Sequence, residues 1–140
     1  MQPMATEQTG GMINDLRHGD WKFTYEGGAP RVESQYVLGE AEGHWVFRHE
    51  NGKTAAEGDF KAGRATGAWT YWHENGKKWF EGSFADGVED GAFSTWYAHG
   101  QKEAEGEFKQ GKPQGRWRRF YEGGQKWQEG EFVRGEKEGR

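Results

Sequence analysis

Cysteine is absent from this 140-residue chain, and proline occurs only three times. The first absence excludes disulfides, cysteine-ligated zinc and thiol nucleophiles, and leaves the redox compartment open. No apolar run approaches the ~20 residues that a membrane-spanning helix needs. The start, Met1 to Thr9, has neither the basic nor the apolar region of a signal peptide. A cytoplasmic protein without an integral membrane segment is the expectation. A dominant sign of charge is also missing, because 19 basic residues are interspersed with 23 acidic ones for a formal net charge of -4. Such a surface has no general attraction for phosphate backbones, so nucleic acid is not expected as a partner. Apolar residues make up only 32% of the chain, below the usual globular share. Against disorder stand 8 Trp, 9 Phe and 5 Tyr. Disordered chains are poor in aromatics, and each buried ring removes roughly 150–250 Å² from water. A thin core built from rings follows.

The glycines are periodic. Gly19, Gly43, Gly67, Gly91, Gly115 and Gly139 stand 24 residues apart, and three further series keep the same period. They run from Gly28 to Gly124, from Gly39 to Gly135, and from Gly58 to Gly130, the last with Ser34 in the first copy. Aromatics follow the same beat at Trp21, Trp45, Trp69, Phe93 and Trp117, and at Tyr36, Phe60, Phe84, Phe108 and Phe132. A fixed period of this length marks a repeat architecture in which each unit buries its apolar face against its neighbours. The units are 19–42, 43–66, 67–90, 91–114 and 115–138 within a repeat domain 19–140. Residues 9–18 read as a degenerate capping half-repeat, with Met12 in the Phe column, and residues 1–8 as a flexible tail.

Within a unit, Gly67 to Glu74 and Lys77 to Phe84 are β-type runs separated by Asn75-Gly76, the strongest short hairpin signal. A two-residue type I′ turn there would pair Trp72 with Trp79, Tyr71 with Phe80, Thr70 with Glu81, and Trp69 with Gly82. The last pairing lays a ring over backbone that glycine leaves bare. No helical period occurs in the repeats. The fold class expected is all-β, an elongated single-sheet solenoid of five stacked antiparallel hairpins with a short N-terminal cap, on the order of 50 Å long at ~4.8 Å per strand. Period-two alternation assigns the repeated Trp, the Phe column and the Gly column to an aromatic face. Glu33, Glu57, Glu81, Glu105 and Glu129 fall on the opposite, polar face. Glu131 to Val133 would be an open C-terminal edge, restrained from aggregation by neighbouring charges, and offers a route to a homodimer.

The unit from Gly67 to Gly91, with Trp69, Asn75, Gly76, Lys77, Glu81, Gly82, Phe84 and Gly87, resembles the MORN-repeat variant of bacterial proteins classed as antitoxins or immunity proteins. The resemblance extends over residues 19–140 and departs from the pattern at Pro30 to Ser34, Thr95 and Arg119. It implies a hairpin-repeat fold and a protein-binding module, with a cognate toxin or effector protein as partner. The same repeat occurs in scaffolds, which implies protein assembly or peripheral membrane association as the alternative.

No residue pattern requires an enzyme. Paired carboxylates of glycosidases stand ~5–9.5 Å apart around a cleft, whereas the Glu column recurs at roughly 10 Å along a sheet. His49 and His73 lie one unit apart, too far to share a metal with ligand bonds of ~2 Å. Neither cofactor nor metal is expected. The informative feature is a position pair that the repeat does not fix: Thr24 with Arg31, Arg48 with Ala55, Trp72 with Trp79, Trp96 with Glu103, Phe120 with Trp127. Its last three units are aromatic, so Trp72, Trp79, Trp96, Phe120 and Trp127, with the neighbouring Glu81 and Glu105, form the candidate partner-binding patch. The alternative is that these rings ladder along the sheet and stabilise it.

Overall fold

The computed structural model describes the backbone of residues 7–133 and 136–138 and the side chains of residues 8–132. Every helix or strand among them is a strand: β1 Glu7–Ile13, β2 Leu16–Thr24, β3 Pro30–Val37, β4 Glu40–Ala41, β5 Gly43–Arg48, β6 Thr54–Lys61 and β7 Arg64–Trp72, followed by β8 Lys78–Ala85, β9 Val88–Glu89, β10 Gly91–Trp96, β11 Lys102–Lys109, β12 Lys112–Phe120, β13 Lys126–Val133 and β14 Glu136–Glu138. They form one antiparallel sheet in chain order, with the two-residue β4 and β9 pairing to β3 and β8. The all-β hairpin array expected from the period is the fold. Residues 1–6 of the expected tail lie outside the described residues, and β1 supplies the N-terminal half-unit, with Met12 opposite Arg17 on β2. At the other end β13 is not an open edge, because β14 pairs along Glu131 to Val133.

The register inside each hairpin agrees with the sequence from the Trp column inward, with Trp69 opposite Gly82, Thr70 opposite Glu81 and Tyr71 opposite Phe80. Nearer the turn it does not. A bulge after Tyr71 sets Trp72 opposite Lys78 and leaves Trp79 as the extra residue. The cause is the turn. Gly76 N–H donates to the His73 carbonyl at 2.9 Å, His73 N–H donates to the Lys77 carbonyl at 2.7 Å, and only Gly76 has positive φ, at 90°. This is a turn closed by a left-handed glycine, whose unequal arms produce a bulge, and not the expected two-residue type I′ turn. Asn75 serves it differently, accepting the Lys77 N–H on Oδ1 at 2.9 Å and donating from Nδ2 to the Ala98 carbonyl of the next turn at 2.8 Å.

The two-residue turns join one hairpin to the next. Ala62 and Gly63 have φ of 51° and 82° with Lys61 paired to Arg64, and Leu38-Gly39, Asp86-Gly87 and Gln110-Gly111 repeat the geometry. Ala62 lacks the local side-chain hydrogen bonding that lets Asn occupy the left-handed region at lower cost. Ala62→Asn is therefore expected to raise stability by about 0.5–1 kcal/mol, read as a shift of the urea midpoint at constant slope.

Stacking between units is held by ladders with the period of the repeat. Tyr25 and Tyr97 hydroxyls donate to the Arg48 and Phe120 carbonyls, both at 2.7 Å. His49 and His73 donate from Nε2 to the Trp72 and Trp96 carbonyls at 2.9 and 3.1 Å. These four rings are inter-unit struts, and their polar tips find the partners that half-burial demands.

On the aromatic face Trp69 leans onto Gly58 of the preceding unit, not onto Gly82, its partner in register. A Cβ added at Gly58 would fall inside the Trp69 ring. The β6–β7 register shifts between Glu57 and Asp59, which brings ring and glycine together. The indole then donates Nε1–H to the Asp59 carbonyl at 3.1 Å. Trp117 repeats this over Gly106, and Trp21 over Gly10. Edge-to-face contacts join the columns, as in Trp45–Phe60, Phe60–Trp69 and Phe108–Trp117 at 5.0, 5.1 and 5.1 Å between ring centroids. The core is nevertheless one layer deep: Trp69, the most buried ring, is 3% exposed, and among the described residues no large side chain is fully enclosed.

Candidate binding surface

The bulge divides the expected patch. The pairings anticipated for the variable positions do not form: Thr24 faces Pro30, Arg48 faces Thr54, Trp72 faces Lys78, Trp96 faces Lys102 and Phe120 faces Lys126. The displaced residues turn to the aromatic face. Trp79 packs against Tyr71 at 5.3 Å and His73 at 6.2 Å, and Trp127 against Tyr121 at 6.0 Å. Trp79 and Trp127 thus do not join the other three rings. Both are well exposed, at 39% and 46%.

Alternation from Thr70 and Arg118 leaves Trp72, Trp96 and Phe120 on the polar face with Glu81 and Glu105. Here rings and ammonium groups alternate across six strands, in the order Trp72, Lys78, Trp96, Lys102, Phe120, Lys126. Lys78 Nζ and Lys102 Nζ lie 5.6 and 5.5 Å from the Trp96 ring centroid, within reach of a cation–π attraction. Each lysine is held by the Glu of its own strand: Lys78 to Glu81 at 3.0 Å, Lys102 to Glu105 at 3.0 Å, and Lys126 to Glu129 at 2.6 Å. Arg118 adds a second contact to Glu105 at 2.8 Å. Lys102 first, and Arg118 with it, hold the Glu105 carboxyl below its ordinary pKa. The lysines were not anticipated as site residues. Their 24-residue spacing was visible, but their place beside the rings depends on the bulge.

Two of the hollows on the aromatic face bear on what could cover it. One, of about 540 Å³, opens where β6 has Ala55 and Ala56 beside Trp69, Tyr71 and Trp79. The other, of about 370 Å³, lies over Phe93, Ala104 and Phe108, with Glu89, Glu103 and Arg119 among its lining. Among the described residues no three His, Asp or Glu side chains gather as a metal-binding group.

With this geometry in hand, comparison with known families is decisive: the model described as the MORN repeat variant matches residues 41–62, 65–86, 89–110 and 113–134, more than half of the chain. The chain belongs to the MORN repeat variant family. A search of the curated proteins found no match. Each matched MORN segment starts just after a two-residue turn and contains one complete glycine-closed turn with its bulge, so Lys78 and Trp79 occupy regular positions of the repeat, the first Lys again at Lys102 and Lys126, the second varying from unit to unit. The first hairpin, with Pro30 and Ser34, precedes the first matched segment yet keeps the register Trp21 to Ser34. MORN repeats make this chain a repeat module for protein or membrane association.

Proposed function

We propose that this MORN module neutralises a cognate bacterial toxin or effector by direct binding, acting as an immunity or antitoxin protein. The observation that carries the reading is Trp96, half-buried between Lys78 and Lys102 on the face that the repeat's own ring columns do not use. An indole with its flanking charges already paired to Glu81 and Glu105 is a preorganised anchor, the kind of residue that dominates interfaces. Trp72 and Phe120 extend the same row to either side. No reacting geometry is needed, since occlusion by a rigid sheet suffices.

Co-expression with the product of the neighbouring gene tests the proposal. Rescue of growth supports it, whereas death at full expression of both proteins favours a scaffold for protein assembly or peripheral membrane association. At residue level, Trp96→Ala with Phe120→Ala is expected to weaken partner binding by roughly 2 kcal/mol or more while leaving the melting temperature nearly unchanged. Calorimetric titration and thermal unfolding measure the two quantities. A large loss of stability with unaltered affinity would make the rings structural.

A further inference from the structure

We propose that the aromatic face is covered by the same face of a second copy, related by a two-fold axis lying along β7. This rests on the aromatic face alone and is independent of the toxin-binding reading.

The reason is a complementarity that appears only when unit order is reversed. β7 is the sixth of the twelve strands in the run β1-β2-β3-β5-β6-β7-β8-β10-β11-β12-β13-β14, with five strands before it and six after it. A two-fold axis along it, in the plane between two facing sheets, brings β6 of one copy onto β8 of the other and β3 onto β11. Position along the strand is preserved, so equivalent positions of the repeat meet. At the bulge position, Ala55 then faces Trp79. At the next position, Ala56 faces Phe80. The hollow of about 540 Å³ over Ala55 and Ala56 receives the exposed Trp79 ridge that borders it, and the partner's hollow receives the ridge of the first copy.

Charge agrees with shape. Arg31, stacked 5.7 Å above Tyr25 and exposed, falls opposite Glu103. Glu103 and Glu89 line the smaller hollow, and neither makes an ion pair among the described residues. Arg119, likewise unpaired, falls opposite Phe23, and Glu89 opposite Ala41. Facing sheets pack ~10 Å apart, a distance that an extended Arg and Glu bridge together.

The area is also of the right size. A face about 50 Å long and about 20 Å wide buries roughly 1,000 Å² per copy, or about 2,000 Å² in total, within the range of stable homodimers. It would close over a ring layer that one sheet leaves half open, and it leaves both Trp96 rows facing outward.

Sedimentation equilibrium of the full chain reads the result, with far-UV circular dichroism confirming the sheet in each variant. The unaltered protein is expected at twice its 16.0 kDa chain mass. Arg31→Glu places carboxylates opposite each other at two symmetric points and is expected to raise the dissociation constant roughly a hundredfold; Arg31→Glu with Glu103→Arg restores the dimer. Ala55→Trp sets ring against ring and gives a monomer, while Ala55→Trp with Trp79→Ala exchanges ridge and hollow and restores it. The repeat carries both Ala and Trp at this position, at Ala55 and Trp127, so the fold accepts either. Should Ala55→Trp lose the sheet signal, the charge exchange decides alone. A monomeric unaltered chain, a dimer indifferent to Arg31→Glu, or a charge exchange that stays monomeric overturns the proposal; an indifferent dimer would point to pairing at the sheet edges.

Discussion

Trp69→Ala is expected to cost about 3–5 kcal/mol, measured as the loss of unfolding free energy in urea. Three contributions converge on this ring. It is 3% exposed, the lowest value of any aromatic in the chain, so its removal forfeits nearly all of its burial. Edge-to-face and tilted contacts join it to Phe60 at 5.1 Å, to Tyr71 at 6.3 Å and to Phe47 at 6.4 Å, so the cavity opens between two units. Its indole N–H also satisfies the Asp59 carbonyl at 3.1 Å, which would be left beside an apolar void. In a thin repeat core this interface is what couples neighbours, so the unfolding transition should broaden as well as shift. Trp69→Phe is the control. Phe93 shows that a phenyl ring serves this column, and the replacement should lose about 1–2 kcal/mol, the hydrogen bond and part of the contact area. A Trp69→Ala loss below about 1 kcal/mol would show that the aromatic column does not couple the units.

The fold was legible because the period states itself many times over. Five copies of the Trp, Gly and Phe columns constrain the register of the hairpin interior, and Trp69 opposite Gly82 follows from alternation alone. Two features were not legible, for one physical reason. Asn75-Gly76 is compatible both with a two-residue turn and with a longer turn closed by the glycine, and the choice depends on hydrogen bonds of His73 with Lys77 and Gly76 that no pattern of residue types reveals. The choice shifts everything beyond Tyr71 by one residue. Trp79 and Trp127 consequently move to the aromatic face, and Lys78, Lys102 and Lys126 take their places beside Trp72, Trp96 and Phe120. The two-residue turns were equally hidden, since Leu38, Ala62 and Gln110 carry no signal for positive φ, and only the glycine after each does. Alternation alone therefore sets the two halves of the candidate patch on one face, whereas the bulge sets them back to back.

Gly58→Ala is expected to cost about 1–3 kcal/mol, a loss from overpacking and not from backbone strain, because φ at Gly58 is ordinary. The added methyl group would enter the Trp69 ring, so the ring has to lift. The first unit supplies a comparison. Ser34 fills the equivalent place in the first unit, and there the Trp45 indole divides its hydrogen bond between the Gln35 and Glu42 carbonyls at 3.2 and 3.3 Å, where Trp69 keeps one bond at 3.1 Å. Ser34 recovers part of the loss by donating its hydroxyl to the Trp21 carbonyl at 2.9 Å, which alanine cannot do. The substitution should therefore be tolerated but measurable. Gly82→Ala supplies the internal comparison: its Cβ would lie 2.7 Å from the edge of Phe93, a smaller ring with no indole hydrogen bond to weaken. Its loss in urea unfolding should be the lesser of the two. Equal losses at Gly58 and Gly82, or the reverse order, would mean that the glycine column is set by the backbone path and not by the ring of the following unit.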